Sequence, residues 1–142
     1  MNLAKMMLRK CDSQGCGHFG ASRGSRTHNG VDLACMAGTL AGSPTDGMVS
    51  KIGYPYADDL SFRYVEIESQ GYAFRVFYVD PLVSEGQQVK RGDILGACQS
   101  LMQRYPGITD HLHFEIKDER GDYVDPTPVL IAQGWQRSSL EN

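Results

Sequence analysis

The chain has 142 residues, of which 22% are charged, and its formal net charge at pH 7 is −3. This length is typical of one domain, so we predict a single domain over residues 1–142, which would bury roughly two-thirds of its unfolded surface. The mild acidity and the lack of a basic run argue against a nucleic-acid partner, and no apolar stretch approaches the ~20 residues of a membrane span.

The first ten residues contain several apolar side chains but do not resemble a secretory signal. The apolar run over residues 3–8 is interrupted by Lys5 and is too short for the apolar core of a signal peptide. We therefore predict no signal peptide here. Either the protein is made in the cytosol and released by another route, or the sequence begins after a trimmed segment.

The first motif able to carry chemistry is His-Asn-Gly-Val-Asp at residues 28–32. His28 and Asp32 lie four residues apart around a glycine, and the apolar residues beside Asp32 indicate entry into a strand. His18 has no partner at ligand spacing, so we expect it to be structural or at the rim of a site. A lone histidine is usually structural, so this motif gains meaning only from a partner elsewhere in the chain.

The middle of the chain is typical of an all-β protein. Short runs rich in Val, Ile, Phe and Tyr alternate with glycines and prolines, which favours strands joined by turns. We predict strands over residues 48–52, 63–68, 72–79, 92–98 and 111–117, with a hairpin turn at 69–71. Such short, closely spaced strands favour an antiparallel sheet or open barrel with a groove on its concave face.

The last predicted strand carries the most informative pattern in the chain. Residues 111–116 alternate between polar and apolar, so His111, His113 and Glu115 should share one face while the apolar residues point into a core. Two adjacent imidazoles suit a metal ion, or one metal ligand and one proton-transfer group. Together with the upstream motif they offer two His and one Asp, a common ligand set for catalytic zinc, and we expect this metal site to lie in the groove. A purely structural histidine pair is the alternative.

Two long connections, residues 54–60 and 99–110, are expected to form the walls of the groove. Four tyrosines either line this groove or pack within the sheets: Tyr54, Tyr56, Tyr78 and Tyr105. Arg23 and Arg26 either attract a peptide carboxylate or lie in a solvated loop. Beyond the strands, we predict a short C-terminal helix within residues 127–136 and fraying of the last six residues.

Taken in order, these motifs resemble those of the lysostaphin/LytM-type zinc metalloendopeptidases. The resemblance covers about residues 11–126 and rests on segments 19–23, 28–32, 37–39, 46–49, 85–96 and 111–115. It implies zinc bound by His28, Asp32 and His113, with His111 left free for proton transfer. Glu115 is then either a carboxylate that holds the outer N–H of an imidazole or an ordinary solvated side chain.

Segments 11–17, 77–81 and 105–108 also resemble the leukocyte cell-derived chemotaxin branch, whose members are regarded as binding proteins. Active members of the wider family usually carry a further histidine in a Tyr-x-His motif on a central strand, and here Asp80 stands at that position. We consider Asp80 as a substitute catalytic base, as a carboxylate that orients another residue, or as a turn residue. Asp-Pro is a turn signal in its own right.

The four cysteines leave two arrangements open. The chemotaxin-like proteins have a disulfide at the positions of Cys11 and Cys16, which implies an oxidising compartment at some stage. Cys35 and Cys98 are either buried thiols or a second pair, because connectivity does not follow from sequence.

The sequence therefore predicts a zinc-dependent endopeptidase that hydrolyses peptide bonds of bacterial peptidoglycan, as a phage lysin or a cell-wall hydrolase. Its predicted place of action is the cell wall, periplasmic or extracellular, reached after release. The alternative is a zinc-stabilised binding module without turnover, which the chemotaxin likeness and Asp80 would allow. A third hypothesis is a structural fold whose histidines bind no metal.

Overall fold

The computed structural model describes residues 1–136, and the last six residues, for which we predict fraying, lie outside the described residues. Residues 1–136 form twelve strands, a 3₁₀ turn at Leu3–Lys5 and one short helix. The strands are β1 (Ser22–Arg23), β2 (Arg26–Thr27), β3 (Val31–Ala34), β4 (Leu40–Gly42), β5 (Gly47–Gly53), β6 (Tyr64–Ser69), β7 (Tyr72–Phe77), β8 (Val79–Pro81), β9 (Gln88–Val89), β10 (Ile94–Cys98), β11 (His111–Lys117) and β12 (Tyr123–Val124); the helix α1 is Thr127–Ala132.

Seven strands form one antiparallel sheet in the order β12-β11-β7-β6-β5-β9, with β3 also paired to β11. β3 pairs with the first half of β11 and β12 with its last residues, so these two short strands flank β11 on the side away from β7. β4, β10 and β8 form a second sheet, and β1 and β2 form a hairpin. The predicted all-β antiparallel fold class is confirmed, and the strand order over residues 1–136 does not close into a barrel.

Local sequence patterns predict the five longest strands, β5, β6, β7, β10 and β11, to within two residues but miss one break. β11 has the predicted bounds, and the predicted hairpin turn is a two-residue turn in which Gln70 and Gly71 have φ of 51° and 85°. The single strand predicted over residues 72–79 is wrong beyond its sixth residue. Tyr78 has φ of 71°, a left-handed conformation that ends β7 and directs β8 into the second sheet.

One hydrophobic core connects the main sheet with both ends of the described chain. Leu112, Phe114 and Ile116 are buried in it, as the alternating pattern of β11 predicts. Residues before the first strand contribute as well, because Leu3 and other apolar side chains of the N-terminal segment pack into the same core. At the other end, the Trp135 indole Nε1–H donates to the Met6 carbonyl at 2.6 Å. The N-terminal segment is thus fixed to the domain rather than free.

All four cysteines are paired. Cys11–Cys16 closes a short loop, as the chemotaxin likeness implies, and Cys35–Cys98 joins the residue after β3 to the last residue of β10. The second disulfide therefore links the two sheets, and the alternative of buried free thiols is wrong.

Among residues 1–136, no helix is long and apolar enough to cross a membrane.

We expect the inter-sheet disulfide to stabilise the protein more than the short one. The paired cysteines are 63 residues apart in Cys35–Cys98 and 5 apart in Cys11–Cys16. Because a cross-link restricts the unfolded chain more when its loop is longer, Cys→Ala at both ends should lower the free energy of unfolding by about 4 kcal/mol for the first and about 2 kcal/mol for the second. Urea denaturation of the two double variants measures both values. Equal losses, or a larger loss for the short loop, would contradict this ranking.

Candidate metal centre

The pairing of β3 with β11 positions two of the three predicted metal ligands. Asp32 lies directly opposite His113 in the antiparallel register, so their side chains emerge on the same face of the sheet. His28 precedes β3 and reaches this face because Gly30 passes very close to β11. A Cβ at Gly30 would clash with the Phe114 carbonyl oxygen and would lie 2.9 Å from His113 Cε1. The glycine within the motif therefore allows the approach that brings the two histidines together.

The structure brings His28, Asp32 and His113 into one cluster of potential ligand atoms. His28 Nε2, His113 Nδ1 and Asp32 Oδ1 form a triangle in which each pair of atoms is 3.0 Å apart. The cluster is almost completely enclosed, since His28 and Asp32 are buried and His113 is nearly so. Among residues 1–136, this is the group of His, Cys, Asp and Glu side chains with a spacing that could hold a metal ion.

The outward atoms of both imidazoles have their own acceptors. His28 Nδ1 lies 3.0 Å from the His18 carbonyl oxygen, and His113 Nε2 lies 2.8 Å from Glu115 Oε1. These acceptors suit ring N–H groups on the outward nitrogens, so the nitrogens that face the cluster are the ones available to a bound metal ion. Glu115 therefore holds an imidazole N–H rather than lying in solvent. His18 takes part through its backbone carbonyl, not through its ring.

The electrostatic surroundings of the cluster favour a positive charge at its centre. Burial lowers the pKa of His113, but hydrogen bonds to Asp32 and Glu115 outweigh burial and raise this pKa to about 9. Burial likewise raises the pKa of Asp32, and hydrogen bonds from His113 and His28 overcome it and hold the pKa well below the usual range. Two carboxylates thus stabilise a cation between these side chains, whether it is a proton or a metal ion.

His111 lies beside the cluster but is oriented differently. Its Nδ1–H donates to the Thr109 carbonyl at 2.7 Å, which leaves Nε2 facing Asp32 Oδ2 at 3.5 Å, beyond an ordinary hydrogen bond. Burial lowers the pKa of His111, and the nearby Asp32 charge opposes this only in part. Burial thus favours the neutral form of the His111 imidazole, and its Nε2 faces the Asp32 carboxylate.

The cluster forms the floor of a cleft of about 550 Å³. Both connections predicted as walls contribute to it, through Tyr56 from the first and Tyr105 from the second. The Tyr56 hydroxyl lies 2.9 Å from that of Tyr78 and 2.8 Å from that of Tyr105, and burial raises the pKa of Tyr78 to about 12. These three tyrosines form a wall in which the Tyr56 hydroxyl is hydrogen-bonded to the other two.

The other residues considered for the groove divide into two groups. Arg23 and Arg26 line the cleft. Tyr54 is exposed and stacks instead under the Arg63 guanidinium, whose carbon lies 4.1 Å from the ring centre.

Asp80 does not join the cluster. Because the chain turns at Tyr78, Asp80 lies on β8 in the second sheet, where it is exposed and accepts a hydrogen bond from Gln99 Nε2 at 2.9 Å. It lines a separate cavity of about 730 Å³. The expectation that Asp80 stands next to the metal as a substitute base has no support in this geometry, and the turn beside it is made by Tyr78 rather than by Asp-Pro.

The sequence analysis missed Arg9, which is buried beside the cluster. Its Nη1–H donates to Asp32 Oδ2 at 2.9 Å, and its side chain is only 3% exposed. The available signal was an arginine directly after the apolar residues of the N-terminal segment, followed three residues later by Asp12.

Comparisons with known proteins agree with this fold and site. Residues 26–126 match the model of peptidase family M23. Mouse leukocyte cell-derived chemotaxin-2 is 34% identical over 124 residues, which cover 87% of this chain and 79% of that protein. Chicken myeloid protein 1 is 32% identical over 138 residues, which cover 94% of this chain and 40% of that protein.

Two solved structures have the same fold. The antimicrobial peptidase lysostaphin from Staphylococcus simulans superposes with a TM-score of 0.69 at 21% identity, over 87% of this chain and 51% of that one. LytU superposes with a TM-score of 0.65 at 26% identity, over 85% and 86% of the two chains. Since the family model matches most of the sequence and the fold is lysostaphin-like, the chain belongs to peptidase family M23.

Proposed function

We propose that the chain is a zinc-dependent endopeptidase that hydrolyses peptide bonds of bacterial peptidoglycan. The observation that carries the proposal is the triangle of His28 Nε2, Asp32 Oδ1 and His113 Nδ1 at the floor of an open cleft. We further propose the cell wall as its place of action, reached after release in the manner of a phage lysin.

The residues of the cluster fit zinc. Two imidazole nitrogens and one carboxylate oxygen are a known catalytic zinc set, which leaves a fourth position for water. Tetrahedral zinc with bonds of about 2.0–2.1 Å separates neighbouring ligand atoms by roughly 3.3 Å. The sides of 3.0 Å in the triangle are close to this value. The outward acceptors on His28 and His113 are those expected around zinc-binding imidazoles.

The chain's own residues supply the proton transfers. Bound zinc would lower the pKa of a water ligand to about 7 and polarise a scissile carbonyl. The Nε2 lone pair of His111 can accept a proton from the attacking water and return it to the leaving amine. The Thr109 carbonyl holds Nδ1–H throughout, and the Asp32 carboxylate stabilises the ring while it is charged.

The shape of the cleft supports a peptide substrate. It is lined by the tyrosine wall and by two arginines, Arg23 and Arg26. Aromatic rings pack against the apolar parts of a peptide, and guanidinium groups bind carboxylates. Peptidoglycan stem peptides carry such carboxylates, which favours them as the substrate class.

A second candidate function is a zinc-stabilised binding module without turnover. The position of Asp80 favours this function, because Asp80 lies away from the cluster and cannot act as a base there. Among residues 1–136, this leaves His111 as the one base that lines the cleft and is neither a proposed ligand nor hydrogen-bonded to one. The similarity to chemotaxin-2 and myeloid protein 1 favours it as well.

The metal ligands can be tested by zinc analysis. We expect about one zinc per chain in the wild type and its loss in His113→Ala, since that variant removes one of three ligands and a chelating pair cannot retain the ion as tightly. His111→Ala should keep the zinc, because its ring is held by Thr109 outside the triangle. Full zinc in His113→Ala would contradict the ligand assignment. Loss of zinc in His111→Ala alone would show that the two roles are reversed.

Hydrolysis can be tested with purified peptidoglycan. The wild type should release peptide fragments, lose this activity with a chelator and regain it with added zinc. His111→Ala should slow release by about 10²–10⁴-fold at unchanged zinc content, which is the usual contribution of general acid–base catalysis. A wild type that holds zinc but releases no fragments would contradict the peptidase and support the binding module.

Asp80→Asn provides the matched comparison for His111→Ala. Since Asp80 is exposed and bonded to Gln99 in the second sheet, we expect the substitution to lower turnover by less than about tenfold. Fragment release by both variants would be measured in parallel. A ~100-fold loss in Asp80→Asn with normal zinc content would show that Asp80 does replace the missing histidine.

A further inference from the structure

We propose that Arg9 and Asp12 are positioning residues that hold the metal ligand Asp32 and the proton-transfer residue His111 in one hydrogen-bonded unit. This inference rests on the proposed metal site and names residues that precede the part of the chain matched by the family model. We call the two residues the Arg9–Asp12 brace.

Arg9 fixes Asp32 through both backbone and side chain. Its backbone N–H donates to the Asp32 carbonyl at 2.8 Å, while the Asp32 N–H donates to the Gly17 carbonyl at 2.8 Å. The Arg9 Nη1–H donates to Asp32 Oδ2 at 2.9 Å. A Cβ at Gly17 would lie 2.8 Å from the Arg9 Cβ, so a glycine is needed for this approach. With Oδ2 engaged, Asp32 presents Oδ1 alone to the two histidines.

Asp12 holds the Arg9 guanidinium in place. Arg9 Nε donates to Asp12 Oδ2 at 3.0 Å and Nη2 donates to Oδ1 at 2.7 Å, a two-point contact that fixes the plane of the guanidinium. The third donor, Nη1, is thereby aimed at Asp32. Lysine cannot replace this arrangement, because its single ammonium lacks the planar fork that serves two carboxylates in fixed directions.

The Asp12 carboxylate is also linked to His111, through the backbone of Thr109. Asp12 Oδ2 accepts the Thr109 backbone N–H at 2.9 Å, and the Thr109 carbonyl accepts the His111 Nδ1–H at 2.7 Å. Asp12 therefore sets the position of the acceptor that keeps the His111 proton on Nδ1 and the lone pair on Nε2. A single buried ion pair thus orients the metal ligand on one side and the proton-transfer group on the other.

The loop that carries Asp12 is itself restrained. The Cys11–Cys16 disulfide closes it, and Asp12 exchanges two backbone hydrogen bonds with Gly15, at 3.0 and 3.1 Å. The Gln14 N–H also donates to Asp12 Oδ1 at 2.8 Å. These contacts hold the Asp12 carboxylate at a fixed place, which a positioning role requires.

The test measures zinc affinity and the His111 tautomer in two variants and a control. Arg9→Lys keeps the charge but removes the fork, and Asp12→Asn keeps the size but removes the charge. Asp58→Asn is the matched control, because Asp58 pairs with Arg104 at 3.2 Å and touches neither Asp32 nor Thr109. Zinc affinity is measured by competition with a chromophoric chelator, at a temperature where circular dichroism shows every variant folded. The His111 tautomer is read from nitrogen-15 NMR of the zinc-loaded proteins.

We expect both brace variants to bind zinc about 10–100-fold more weakly, the usual effect of losing a partner of a metal ligand, and Asp58→Asn to bind as the wild type does. In Asp12→Asn, the His111 proton should distribute between Nδ1 and Nε2, whereas the wild type and the control keep it on Nδ1. A loss of fold stability alone would not move this proton.

Wild-type zinc affinity and an unchanged His111 tautomer in both variants would contradict the positioning role of the Arg9–Asp12 brace. If Arg9→Lys does not fold, Asp12→Asn decides by the same two readouts. A wild type that binds no zinc would overturn the proposed function instead, and the His111 tautomer, recorded without zinc, would still test the contact from Asp12 through Thr109.

Discussion

The register between β3 and β11 is the constraint on which the site depends. In this antiparallel pairing, the apolar residues of both strands, among them Leu33 and Leu112, are directly opposite each other and buried in the core. Asp32 and His113 are opposite each other on the other face. A slip of one residue would turn the polar set into the core and the apolar set into the cleft. Burial of the apolar face therefore fixes the relative position of the two proposed metal ligands, Asp32 and His113, to within a hydrogen-bond length.

That placement has an energetic consequence, because it buries charged and polar groups. A buried carboxylate or imidazole is costly unless each of its polar atoms has a partner. Here the partners are arranged in a ring around the cluster: Glu115 and the His18 carbonyl take the outward imidazole N–H groups, and Arg9 takes the second oxygen of Asp32. No buried side-chain nitrogen or oxygen within residues 1–136 lacks a partner. The three atoms that face inward, two imidazole nitrogens and one carboxylate oxygen, are of the types that bind a metal cation.

Sequence patterns predicted what is local in the chain. The alternation over residues 111–116 determines the bounds of β11 and the face shared by His111, His113 and Glu115, since side chains alternate in any strand. The two motifs were joined by their ligand chemistry and by family resemblance, because strand pairing between residues 81 positions apart leaves no local signal. The alternatives for Asp80 could not be separated from the sequence, because a tyrosine gives no local signal for the left-handed backbone that directs β8 into the second sheet. Arg9 was missed because its partners lie 3 and 23 residues away, and the role of His18 was hidden because it uses a backbone carbonyl.

His111 lies beside the cluster without being a proposed ligand, and it bears directly on the choice between a peptidase and a binding module. Amide hydrolysis needs one proton removed from water and one delivered to the leaving amine, and these can be the same proton carried by the same nitrogen. His111 Nε2 is suited to both steps, since Thr109 holds the opposite nitrogen and the edge-on contact with Tyr78 restrains the ring. A second base is therefore not a chemical requirement. Both proposed functions use the same three proposed zinc ligands, so we infer that turnover depends on whether the tyrosine wall admits a peptide bond between His111 and these residues.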